Sequence, residues 1–144
     1  MPKNIEFIHL NTADEMMIAF PLIGQMYEKM DEATYYEYVK EMIEINNFKM
    51  VAAFIDGELV GVSGYWILLM LYCGRYIQIS NFVVDENKRS FGIGKAMMNY
   101  LENLGRKLGC EKFILDSYSE NKKSHSLYFS QGFYIRGFHF MKDL

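Results

Sequence analysis

Apolar positions along this chain change period in a definite order, and that order predicts the elements. Residues 5–10 alternate and read as a first strand. Thr12 and Glu15 stand at capping-box spacing. Behind them Met16, Phe20, Ile23, Met26, Tyr27 and Met30 recur at helical spacing, with Pro21 and Gly24 placed to bend or interrupt the helix. Thr34 and Glu37 repeat the capping-box spacing, and Tyr38, Met42 and Ile45 follow. A second helix should therefore end near Asn46 and Asn47.

The pattern then shifts to strands. Residues 49–55 read as one, Asp56-Gly57 as a hairpin turn, and 59–72 as a long strand that folds back at Cys73 and Gly74. Residues 75–84 give the next strand. A third helix spans about 92–108, with Ile93, Ala96, Met97, Tyr100, Leu101, Leu104 and Leu108 on one face and Gly109 suited to its end. Residues 112–117 read as a strand, 121–131 as a short helix stopped by Gly132, and 133–142 as one or two closing strands around Gly137. The order is β-α-α-β-β-β-α-β-α-β-(β). It predicts one α/β domain over residues 1–144, with a mixed central sheet of six or seven strands and about four helices. Strands 75–84 and 112–117 flank a helix, so they should be parallel neighbours.

Composition narrows the function classes. Of 144 residues, 51% are apolar and 16% aromatic, enough for a real core. The net charge of −3 gives no basic excess, so no nucleic-acid partner is expected. Cys73 and Cys110 form no ligand or disulfide pattern, so no metal is expected. The apolar stretch around residues 60–73 is too short for a membrane span and is broken by Gly61, Ser63 and Gly64. The first residues lack the apolar core of a signal peptide, so the expected location is cytoplasmic, with no membrane partner. A monomer and a homodimer both stay open.

The chemistry concentrates after residue 80. Asn81, Phe82, Val83, Val84 and Asp85 end a strand, and Arg89, Ser90, Phe91, Gly92, Ile93, Gly94 and Lys95 turn into the third helix. Glycines there bare backbone N–H groups at the positive end of a helix dipole, which suits phosphate. The P-loop pattern fails at Arg89 and at Ala96. The dinucleotide fingerprint would need a glycine at Met97 and a strand running directly into Gly92, although Asp116 lies where a ribose-binding carboxylate could stand. A glycine-rich turn that binds nothing is the remaining plain reading.

Arg89, Gly92 and Gly94 satisfy the pattern [QR]-x-x-G-x-[GA]. Further on, Asn121, Tyr128 and the pair Gly132-Phe133 keep a second fixed spacing. Together, in this order, they resemble the GNAT superfamily of acetyl-CoA-dependent N-acetyltransferases, and the element order matches the GNAT fold over nearly the whole chain. The resemblance implies that the turn from Arg89 to Lys95 binds the pyrophosphate of coenzyme A. It implies that the backbone of Phe82, Val83 and Val84 pairs with the pantetheine arm where two parallel strands part. Asn121 would hydrogen-bond that arm. Tyr128 would protonate the leaving thiolate, a step that suits a thiol of ordinary pKa about 8.5. Read alone, Tyr128 is one of 11 tyrosines and fits helix packing, and Asn121 fits a helix cap.

Many members of that family carry a Glu base on the strand before the turn. Here Gln78, Ser80 and Asn81 occupy it, so deprotonation of the amine falls to Asp116, Tyr118, Glu120, His125 or a water path. Tyr27, Tyr35, Tyr36, Tyr65, Trp66, Tyr72 and Tyr76 are available to line an acceptor site, and Asp31, Glu32 and Glu37 to attract a cationic amine. The expected activity is transfer of acetyl from acetyl-CoA to a primary amine, on a small molecule, a peptide N-terminus or a lysine, by direct attack in a ternary complex. The alternatives are a non-catalytic acyl-CoA-binding module of the same fold and, third, a dehydrogenase.

Overall fold

A computed structural model describes residues 4–89 and 91–144. Five strands, β1 (Glu6–Leu10), β2 (Lys49–Ile55), β3 (Glu58–Met70), β4 (Gly74–Val84) and β5 (Lys112–Leu115), form one sheet in sequence order. The first three pairings are antiparallel and β4–β5 is parallel. The hairpin between β2 and β3 turns on Asp56 and Gly57, with φ of 50° and 78°, the positive pair that matches strand twist.

One face of the sheet is covered by α1 (Ala13–Met16), α2 (Phe20–Ile23) and α3 (Glu32–Asn46). A 3-10 turn at Met17–Ala19 joins the first two, so the expected first helix exists in pieces and ends at Gly24. Taken together these pieces make one helical segment of four. Thr12 and Glu15 form the expected capping box. The second one is not formed. The Asp31 carboxylate accepts from the Thr34 N–H at 2.8 Å and starts α3 three residues earlier, which leaves Thr34 and Glu37 inside the helix. Asn47 ends α3 in the left-handed region.

The other face carries α4 (Ile93–Lys107) and α5 (Lys122–Ser130). Met97, Met98 and Leu101 of α4 are buried against Val51, Ala53, Val60, Ile77 and Ile79. Phe48 is buried on the first face and fits close against Gly64, where an added Cβ would overlap its ring.

Among the described residues the sheet has five strands, not six or seven. Residues 133–144 form no strand, and Tyr134, Ile135, Phe138, Phe140 and Met141 are exposed. Gly137 interrupts this segment, and on either side of it the apolar residues stay in solvent instead of packing on the sheet. A sixth strand would also have only the four residues of β5 to pair with.

Candidate functional site

β4 and β5 part company at one point. Their last paired residues are Ile79 and Leu115, and β4 continues through Ser80 to Val84 with no partner strand on that side among the described residues. Two β4 residues, Asn81 and Phe82, face the single residue Ser63 of β3, so a β-bulge sits at the parting. Asn81 takes φ of 56°, unusual for a residue other than glycine. A bulge bends its strand and redirects its side chains. The backbone at the parting is therefore available for a ligand to pair with.

The start of α4 lies against this gap. Gly92 opens the helix at φ 78° and no side chain caps it. The other two long helices, α3 and α5, are capped by Asp31 and Asn121. Among the described residues the N–H groups of Ile93, Gly94 and Lys95 thus have no helical or side-chain acceptor, which favours an anion. The nearest described atoms that a Cβ on Gly94 would meet belong to Leu127, Val84 and Phe82, at ordinary contact, 3.8–3.9 Å. The protein's own packing does not demand glycine there, whereas close approach of a phosphate would. The Arg89 side chain donates from Nε to the Val84 carbonyl at 3.3 Å, bringing a cation to the same end of β4.

The remaining expected residues fall around this gap, with one outside the description. Val83 is buried on the α1–α3 face and Ile93 on the α4 face, so both offer only backbone. Phe82 and Val84 pack on the α4 side, and Phe91 is exposed. Ser90 lies outside the described residues. Asn121 caps α5, its side-chain oxygen accepting from the Ser124 N–H at 3.3 Å, which leaves its NH2 group free to donate. Tyr128 packs into the cluster that holds Ile79 and Phe82. Burial pushes its phenol up, partly offset by a hydrogen bond with Ser124, so it keeps its proton at neutral pH.

The opposite face of the gap carries polar groups that sequence reading only half resolved. Gln78 donates from Nε2 to Asp116 Oδ2 at 3.3 Å, which ties the end of β5 to β4. Two other base candidates are engaged elsewhere. The His125 Nε2 lies 2.8 Å from the Tyr118 carbonyl and must donate to it, and the exposed Glu120 carboxylate accepts from Ser119. Tyr27, after α2, donates to Asn81 Oδ1 at 2.6 Å. Burial, and secondarily Tyr118, push the Tyr27 phenol up. Beside this contact lies a cavity of about 240 Å³ bounded by α3, Tyr27, Ser80 and Asn81. Met30, Met42 and Met50 line it and had given no signal beyond helical or strand spacing. Among the described residues no cluster of three metal-ligating side chains occurs.

The model for the Acetyltransferase (GNAT) family matches residues 15–133. A Bacillus subtilis (strain 168) relative, named an uncharacterized N-acetyltransferase, YhdJ, is 22% identical over 141 residues, covering 97% of this chain and 99% of the relative. Among solved structures, an acetyltransferase of Trypanosoma brucei superposes with a TM-score of 0.78 at 25% identity, covering 98% of this chain and 100% of that one. The aminoglycoside N-acetyltransferase AAC(6')-Iy, solved in complex with CoA, superposes with a TM-score of 0.79 at 16% identity, covering 100% of this chain and 98% of that one.

Proposed function

The chain belongs to the acetyltransferase (GNAT) family, and from that premise we propose that it transfers acetyl from acetyl-CoA directly to a primary amine, with both bound at the parting of β4 and β5. The observation that carries this reading is the conjunction at one place of unpaired β4 backbone and an uncapped α4 start. When bound, acetyl-CoA supplies a thioester: the amine nitrogen bonds to the carbonyl carbon, the carbon–sulfur bond breaks, and the sulfur takes up a proton.

In this proposal the N–H groups of Ile93, Gly94 and Lys95 hold the pyrophosphate, with Arg89 adding charge. The backbone of Phe82 and Val84 pairs with the pantetheine amides, and the Asn121 NH2 group donates to the same arm. A backbone N–H near Phe82 polarises the reacting carbonyl. Tyr128, held protonated by burial, gives its proton to the sulfur. Asp116, oriented by Gln78, receives the proton of the attacking ammonium directly or through water. No residue of β4 itself serves as base, since Gln78, Ser80 and Asn81 are uncharged.

The test is thiol release from acetyl-CoA with a panel of amines and peptides, with mass spectrometry of the product. Release coupled to N-acetylated product is expected. Acetyl-CoA binding with no release for any acceptor would instead favour a non-catalytic acyl-CoA-binding module.

A further inference from the structure

We propose that the acceptor is a primary amine carrying an uncharged apolar substituent, about the size of an aromatic ring with a short chain, and that the cavity between α3 and the β4 bulge holds that substituent. This rests on the acetyltransferase reading above and names its acceptor class.

Position and size support it. Ser80 and Asn81 form one end of the cavity, at the parting where transfer is proposed. An apolar cavity of about 150 Å³ takes benzene; this one, near 240 Å³, has room for a ring and a few more carbons.

Charge supports it further. Among the described residues that line the cavity there is no Asp, Glu, Lys, Arg or His. A second cation on the acceptor would lose water there with no counter-charge to replace it. The acidic residues of α3 do not serve this space. Asp31 is used as the helix cap, and Glu32 and Glu37 are exposed and form no part of the lining. A wider opening of about 410 Å³ continues outward past Tyr27, Met30 and Tyr38, and its charged residues, Glu28 and Lys29, cancel. Tyrosine faces and flexible methionines make walls that adapt to an apolar ring. Polar groups occur at the Ser80–Asn81 end, so the amine nitrogen points there, toward the Gln78–Asp116 pair on the same face of the sheet.

The experiment compares 2-phenylethylamine with spermidine as acceptors for the wild type and for Tyr38→Glu. Tyr38 is 55% exposed, so this substitution puts a carboxylate at the cavity without disturbing the core. The wild type should prefer 2-phenylethylamine in kcat/KM by at least about tenfold. Tyr38→Glu should lower that ratio by a similar factor, mainly through KM, while the stabilisation of the protein by acetyl-CoA stays the same. A wild-type preference for spermidine, or an unchanged ratio in the variant, overturns the proposal. If neither amine is acetylated although acetyl-CoA binds, the wider amine panel decides the transfer reading, and binding decides the cavity by itself. Shifts of the Met30 and Met42 methyl resonances by 2-phenylethylamine, weaker in Tyr38→Glu, support it; their absence overturns it.

Discussion

The Tyr27 hydroxyl donates to the Asn81 side-chain oxygen at 2.6 Å, joining the segment after α2 to the bulge of β4. The contact links two features that each shape the acceptor side: a left-handed Asn81 at the parting of the strands, and an aromatic wall shared by both openings.

Tyr27→Phe removes this bond and keeps the ring. Stability should fall by about 1 kcal/mol, the usual net value of one such bond, read from a urea melt. The KM for the amine should rise while that for acetyl-CoA holds. A variant with wild-type melt and amine KM would show the contact to be inert.

Tyr128→Phe should lower kcat by about 10²–10⁴-fold, the typical contribution of a positioned acid. Acetyl-CoA affinity should change far less. Burial raises the phenol's pKa, so the wild-type acid stays protonated beyond the ordinary value of 10 and no loss of rate from its ionisation should appear below that pH. Unaltered turnover in the variant would assign Tyr128 to packing against Phe133, whose ring centroid is 6.0 Å away.

Much of this arrangement was legible wherever a local signal coincided with the tertiary outcome. The apolar stripe of α4, the Asp56–Gly57 turn and the Thr12–Glu15 capping box depend on residues close together in sequence, and each formed as expected. Where two local signals competed, the pattern misled: Asp31 captured the Thr34 N–H that a Thr34 cap would have required to lie elsewhere. The Asn81 bulge had no local signature, because the mismatch of β3 and β4 registers creates it. Gln78 and Asp116 are 38 residues apart, and only the parallel register of β4 and β5 brings them together. The closing strands failed for the opposite reason: a β-like composition found no partner.

His9 provides a pH test of the fold. Its ring lies between Tyr100, with Nε2 2.7 Å from the hydroxyl, and Tyr65. Burial first, and the Lys49 charge second, lower its pKa below the ordinary 6.5. The unfolded chain therefore takes up the proton more readily. Stability present above pH 6.5 should be lost as pH falls through the lowered folded value, then level off. His9→Gln should flatten the thermal-melt profile between about pH 7.5 and 5.5, where most carboxylates are still ionised. Parallel profiles for the two proteins would contradict this.

The most direct measurement of the central claim is calorimetric titration of acetyl-CoA into the wild type and into Gly94→Asp. With the pyrophosphate on the α4 N–H groups, a carboxylate at residue 94 adds a like charge and bulk on that spot, while a Cβ there would sit at ordinary contact from the nearest described atoms. Saturable binding by the wild type, with loss of binding in a variant that still folds, is the predicted result. Equal affinity in the two proteins would contradict the account.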